Sequence, residues 1–352
     1  MQPNSKTSET KNKPASKKHN INPKWLVVSA FVTVLFLEFT NSLRPSLRSR
    51  FFYLLVAINN LLTGNKPLEE QREHMQRLEK IIKKVNDDEP QEIIYAPAGI
   101  KVEWVDPQTK FAHDQVILYL HGGAYVNKSP AFHRRYVRHL ATLAKTRALM
   151  VDYRLAPESP FPAALEDAVA AYKWLLTSGY KPEKIVIAGD SAGGGLTAAC
   201  LLYCREHNLP MPSAAVLFSP WLDLAGTSNS IHRLENVDMQ LRWENLEKSA
   251  KAYYGEYPPT HPLISPLFGE LHGLPPFLII AGGREILLDD SLRFADRLSM
   301  GECDVELIVE PNMGHVWSIF EPLIPEAEAA NLHVADFIQH HLNPTDSETK
   351  FK

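Results

Sequence analysis

The chain is poor in cysteine, with only Cys200, Cys204 and Cys303 among 352 residues. So few exclude a disulfide-dense scaffold, and no C-x-x-C pair or mixed Cys/His cluster has the spacing of a zinc site. An excess of basic charge is also missing. Lys and Arg number 37 against 41 Asp and Glu, a formal net charge of −4. Without a global positive field, no nucleic-acid partner is expected. There is no repeat of fixed period. There is no G-K-[ST] phosphate loop, and no G-x-G-x-x-G opens a helix, so no nucleotide cofactor is implied. What is present is a globular composition: 45% apolar and 22% charged residues rule out wholesale disorder.

Residues 1–24 are polar, with six lysines and the single acid Glu9, and read as a disordered basic tail. The text then changes. Trp25–Leu43 is nearly free of charge and 19 residues long, close to the roughly 20 that a bilayer-spanning helix needs. A single-pass membrane anchor is expected there, with a soluble cytoplasmic enzyme as the alternative. Lysines precede the run while Arg44, Arg48 and Arg50 follow it, so the positive-inside rule favours a cytoplasmic N-terminus only weakly. Phe51–Leu62 is apolar but too short to span. Leu68–Val85 has Met75, Leu78, Ile81 and Ile82 at helical spacing. Residues 46–95 are read as N-terminal cap helices and a lead-in.

From residue 96 to 342 the pattern is α/β. Short apolar runs at Val116–Leu120, Ala148–Val151, Ile185–Ala188, Ala214–Phe218, Phe277–Ala281 and Val305–Val309 alternate, mostly, with helix-length segments. Continuous apolar runs between helices indicate a mostly parallel sheet covered on both faces. Residues 224–274 break the rhythm and read as a cap insertion over the strand ends. Residues 343–352 form a polar tail. In such sheets ligands sit outside the carboxyl ends of the strands.

One of those ends carries Gly189-Asp190-Ser191-Ala192-Gly193-Gly194 directly between an apolar run and a helical segment. This is G-x-S-x-G in the strand–turn–helix context it requires, which marks Ser191 as a nucleophile. Upstream, Val116–Leu120 leads into His121-Gly122-Gly123-Ala124-Tyr125. Acyl transfer needs backbone N–H groups aimed at an oxyanion, and such a glycine pair lets the main chain approach closely. His121 is expected to orient that loop. A triad then needs an acid and a histidine in the order Ser, Asp/Glu, His. After Phe277–Ala281 stand Glu285, Asp289 and Asp290. Glu285 is favoured because it lies closest after the strand. Asp289 is the alternative, although it and Asp290 precede the helical pattern Ser291–Met300, where Asp is a good N-cap. Of 14 histidines, His315 alone sits in a glycine-containing loop beyond the last core run.

Taken together, these residues resemble the hormone-sensitive-lipase-like family of α/β hydrolases over about residues 46–342. The resemblance rests on Leu120-His121-Gly122-Gly123-Ala124-Tyr125, Asp152-Tyr153-Arg154-Leu155-Ala156-Pro157-Glu158, the Gly-Asp-Ser-Ala-Gly-Gly elbow and Ser219-Pro220-Trp221. It implies an α/β-hydrolase fold with a helical cap, and a triad of Ser191, Glu285 and His315. Glu285-Ile286-Leu287 stands where many members have Asp-Pro-Leu. It further implies oxyanion donors from Gly122, Gly123 and Ala192, and hydrolysis of short- to medium-chain carboxylic esters without metal or organic cofactor. Amide or formamide hydrolysis by the same triad, and a non-catalytic small-molecule receptor, are the rivals.

Overall fold

A computed structural model describes residues 46–63, 66–86 and 92–344. The basic tail, the Trp25–Leu43 segment and most of the polar C-terminal tail lie outside the described residues. Among the described residues, no helix is long and apolar enough to cross a membrane.

The chain first forms two helices, α1 (Leu47–Thr63) and α2 (Leu68–Asn86). Eight strands follow: β1 (Glu92–Ala96), β2 (Ile100–Val105), β3 (Ala112–Leu120), β4 (Thr146–Val151), β5 (Ile185–Asp190), β6 (Ala214–Phe218), β7 (Phe277–Gly282) and β8 (Val305–Glu310). They make one sheet in the order β1-β2-β4-β3-β5-β6-β7-β8. β3 to β8 run parallel, as expected of apolar runs that alternate with helices, while β1 and β2 pair antiparallel at one edge. The remaining helices are α3 (Pro130–Leu143), α4 (Ala163–Thr177), α5 (Ala192–Glu206), α6 (Ser230–Leu234), α7 (Trp243–Tyr254), α8 (Leu288–Met300) and α9 (Ala327–Leu342).

Strand alternation divides the core. On β3, Val116, Leu118 and Leu120 join one apolar cluster with Leu165 and Tyr172 of α4 and Phe294 and Leu298 of α8. Ile117 and Tyr119 point the other way, into a cluster with Val137 and Leu140 of α3 and Val334 and Ile338 of α9. Both faces of the sheet are therefore covered, and each fully buried Leu, Ile or Val contributes about 1.5–3 kcal/mol. The crossover helices leave the carboxyl ends of the parallel strands free to carry loops.

The N-terminal helices are bonded into this frame. Ser46 and Ser49 hydroxyls donate to Glu326 Oε2 at 3.2 and 2.6 Å, and the Ser46 N–H donates to Glu326 Oε1. From α2, Arg72 Nε donates to Val126 O at 2.8 Å and Nη2 to Ala156 O at 2.6 Å. Glu79 accepts from the Ser129 hydroxyl at 2.7 Å and from Ala131 N–H at 2.5 Å, at the start of α3. Phe52 packs on Phe320 at 4.6 Å between ring centroids.

Candidate active site

Loops from β3, β5, β7 and β8 converge at one end of the sheet. Between β5 and α5 the turn is made by Ser191, at φ 53° and ψ −120°. A positive φ costs a non-glycine residue energy and persists only where the surroundings over-determine it. Here Ser191 N–H donates to Phe218 O at 2.8 Å, and Ser191 O accepts from Trp221 N–H at 2.9 Å. Gly193 lets the elbow approach β3, because a Cβ there would collide with the carbonyl oxygens of Leu120 and His121.

The three residues expected to form a triad are brought together. Ser191 Oγ is 2.9 Å from His315 Nε2, and Glu285 Oε2 is 2.5 Å from His315 Nδ1. All are buried, with Glu285 fully so. The other Glu285 oxygen accepts from Ser219 O–H at 2.8 Å and Gly282 N–H at 2.7 Å. Ser219 Oγ in turn accepts from Val316 N–H at 2.9 Å, which locks the acid loop to the histidine loop. The carboxylate assigns the proton to Nδ1 and leaves the Nε2 lone pair facing Ser191. Burial alone would lower the His315 pKa. The Glu285 hydrogen bond, with the charges of Glu285, Asp238 and Asp190, outweighs it and raises the value above that of ordinary imidazole.

Asp289 and Asp290 are not N-caps. α8 begins at Leu288, so both lie in its first turn. Asp290 instead holds the loop after β6, accepting from Leu222 and Asp223 N–H, both at 2.9 Å, and from Ser228 O–H at 2.6 Å. Burial, then the neighbouring Asp223, pushes its pKa up to about 7. Asp289 accepts from Ser230 N–H at 2.8 Å and pairs with Arg233 at 3.2 Å. Neither carboxylate is bonded to His315.

The oxyanion loop requires one correction. Gly122 N–H is turned onto Asp190 Oδ1 at 2.9 Å, so it does not face an acyl oxygen. The cause is sheet register. Leu120 of β3 pairs with Gly189 of β5, which brings Asp190 against the residues just past β3. The turn that follows is left-handed at three successive positions, Gly123 (φ 125°), Ala124 (φ 54°) and Tyr125 (φ 62°). At Gly123 a side chain would also collide with the Asn127 carbonyl. His121 lies behind the turn, with Nδ1 2.7 Å from Gly122 O and its ring stacked on Tyr153 at 4.2 Å. Burial, reinforced by neighbouring His133, lowers its pKa to about 4. His121 is thus a neutral ring whose Nδ1–H braces the loop.

A family profile of the alpha/beta hydrolase fold matches residues 117–319. The chain belongs to this α/β hydrolase family. An acetyl-hydrolase of Streptomyces hygroscopicus is 42% identical over 230 residues, covering 65% of this chain and 76% of that protein. An esterase from the bacterial hormone-sensitive lipase family superposes with a TM-score of 0.79 at 38% identity, covering 86% of this chain and 100% of the other. The crystal structure of EstE5, soaked with p-nitrophenyl butyrate, gives 0.78 at 38% identity over 84% and 98% of the two chains. The hydrolase is therefore of the hormone-sensitive-lipase-like type, and it is a serine ester hydrolase.

Three working parts of the hydrolase site escape sequence reasoning. Asp190, the variable residue of the elbow, accepts from Gly122 N–H and from Tyr119 O–H, each at 2.9 Å, and lies 3.3 Å from His133 Nε2. Burial would raise its pKa, but the His133 charge and these donors hold it below the usual carboxylate value. Ser219 is the second. Its motif Ser219-Pro220-Trp221 is visible, but the bond to Glu285 is not. The third is Tyr53 of α1, whose hydroxyl accepts from Gly314 N–H at 2.8 Å, one residue before His315. Nothing local in the α1 sequence points to a partner so far along the chain. A cleft lined by Pro182, Met211, Leu274 and Cys303 lies at the amino ends of the strands, away from this chemistry.

Proposed function

We propose that Ser191, His315 and Glu285 hydrolyse short- to medium-chain carboxylic esters through an acyl-enzyme. The 2.9 Å contact between Ser191 Oγ and His315 Nε2 carries this reading. Ser191 Oγ attacks the acyl carbon as its proton passes to Nε2. The tetrahedral adduct then collapses, and Nε2 returns the proton to the departing alkoxide. Water attacks the acyl-enzyme by the same route, giving the acid and restoring Ser191. Glu285 keeps Nδ1 protonated and stabilises the imidazolium.

Ala192, the first residue of α5, has an amide with no acceptor inside its own helix and is assigned as one oxyanion donor. Gly123 is assigned as the second. With Gly122 occupied by Asp190, the next amide of the left-handed turn, Ala124, takes its place. Each such donor lowers the barrier by about 2.7–4 kcal/mol.

Small acyl groups suit the acetyl-hydrolase relative and the butyrate ester used with EstE5. An amide substrate is not favoured by relatives that are named as esterases. Residues 46–95 and 224–274 are assigned as two parts of one cap. Across a series of p-nitrophenyl esters, kcat/KM is expected to peak between acetate and hexanoate and to fall steeply beyond octanoate. Efficient turnover of long-chain triglyceride emulsions with weak butyrate hydrolysis would contradict the assignment.

Trp25–Leu43 is proposed to tether the enzyme to a membrane as a single span. The described contacts begin at Ser46, whose N–H and hydroxyl are bonded to Glu326. Removal of residues 1–45 is therefore expected to release an active enzyme, while the full chain stays in the pellet after alkaline carbonate extraction. Full-length protein in the supernatant would overturn the tether.

A further inference from the structure

Asp238 lies in the segment between β6 and β7, after α6, and is 1% exposed. Its carboxylate accepts three backbone N–H groups. Oδ1 takes those of Gln240 at 2.8 Å and Leu241 at 2.9 Å, and Oδ2 takes that of Ile286 at 2.8 Å. Ile286 is the residue after Glu285. The nearby Arg242 guanidinium is bonded to the carbonyl oxygens of Asp238 and Leu241. No ion pair to the Asp238 carboxylate occurs among the described residues. A buried carboxylate without a cation costs several kcal/mol unless dipoles or a charge that appears later offset it. Three N–H groups supply the dipoles. The charge that appears later is on His315, which becomes an imidazolium in each tetrahedral step.

We propose that Asp238 is a positioning residue for the triad: it fixes the backbone behind Glu285, and its negative charge stabilises the imidazolium of His315 during turnover. The proposal rests on the triad reading above. The His315 ring is bonded to Ser191 from the turn after β5 and to Glu285 from the loop after β7. The charges of Asp238, in the insertion, and of Asp190, whose carboxylate is turned to Gly122, Tyr119 and His133, also act on it. Ser219 after β6 and Tyr53 of α1 hold the flanking backbone at Val316 and Gly314. Asp238 is the one carboxylate of this group bonded neither to the ring nor to a cation: three backbone N–H groups hold it, and the Arg242 guanidinium binds main-chain carbonyl oxygens instead.

The sign of the effect follows. The base must be neutral to take the Ser191 proton, and a nearby negative charge holds a proton on the ring. In Asp238→Asn the proton leaves more readily, so the acid limb of the kcat/KM profile moves to lower pH, by about 0.5–1. The imidazolium formed in the transition state is also less stable, so kcat falls roughly tenfold at the plateau, while KM stays within about twofold.

The test is the pH profile of p-nitrophenyl acetate hydrolysis by the full chain for wild type, Asp238→Asn and Asp238→Glu. An NMR titration of His315 provides a readout independent of turnover. Asp238→Glu keeps the charge on a longer arm. It is expected to lower kcat and leave the acid limb in place, and this variant decides the matter where Asn does not fold. Superimposable profiles for Asn and wild type, or a limb that moves equally in Asn and Glu, would overturn the role. Ser191→Ala serves as the control. If it is inactive and the Asp238→Asn limb is unmoved, only the Asp238 role falls. If it turns over normally, the triad reading falls first.

Discussion

Ser191→Ala is expected to lower kcat for p-nitrophenyl butyrate by roughly 10⁶-fold with little change in the thermal midpoint. The Oγ that the substitution removes is the atom 2.9 Å from His315 Nε2. Nothing else the described structure places on that nitrogen can form an acyl bond. Because the hydroxyl makes no other hydrogen bond among the described residues, its loss leaves the elbow held by the Phe218 and Trp221 backbone bonds. Residual hydrolysis should match what the oxyanion donors and binding supply without a nucleophile, about 10³–10⁴ over water. Turnover near wild type in a folded variant would remove Ser191 from the chemistry. Circular dichroism and a melting curve distinguish that result from a folding defect.

Glu285→Gln is expected to reduce kcat by about 10³–10⁴-fold, an effect larger than a lost hydrogen bond explains. Two donors, Ser219 O–H and Gly282 N–H, occupy Oε1 in the native protein. In the variant they select the orientation that keeps the amide oxygen beside them, which presents the Gln NH₂ to His315 Nδ1. Nδ1 must then accept, the ring proton moves to Nε2, and the lone pair facing Ser191 is lost. Asp289→Asn makes the contrast. It perturbs a partly buried bond to Ser230 N–H and a pair with exposed Arg233. It should cost about 1 kcal/mol of stability and leave kcat unchanged. A reversal of the two phenotypes would move the acid role to Asp289.

The parallel strands β3 to β7 were legible because the central residues of each are buried on both faces and read as an unbroken apolar run, while β8, at the sheet edge, is only partly buried and carries Glu306 within its run. Ala214–Phe218 has the same limits in sequence and structure. β1 and β2 were not. At the antiparallel edge Glu92–Ala96 is largely exposed, and its short run Ile93–Ala96 precedes the strand–helix alternation that marks the others. α8 begins at Leu288 rather than after the aspartates, because Asp290 is drawn inward by the amides of Leu222 and Asp223. That requirement comes from a segment more than 60 residues away and leaves no local trace.

The same division runs through the site. Ser191, Glu285 and His315 stand at strand ends, and chain order alone fixes which loops must meet. The mistaken Gly122 donor shows where order stops helping, because which amide of a glycine turn faces the acyl group depends on Asp190 in the neighbouring strand.

The covalent step is tested most directly by acid-quenching the enzyme within a single turnover of p-nitrophenyl acetate and locating the acyl group by peptide mass spectrometry. One acetyl group per chain is expected, on the peptide carrying Ser191. It should decay no slower than the steady-state turnover rate, and it should be absent in Ser191→Ala. An acyl group on another residue, or full turnover with none on Ser191, would contradict a Ser191 acyl-enzyme.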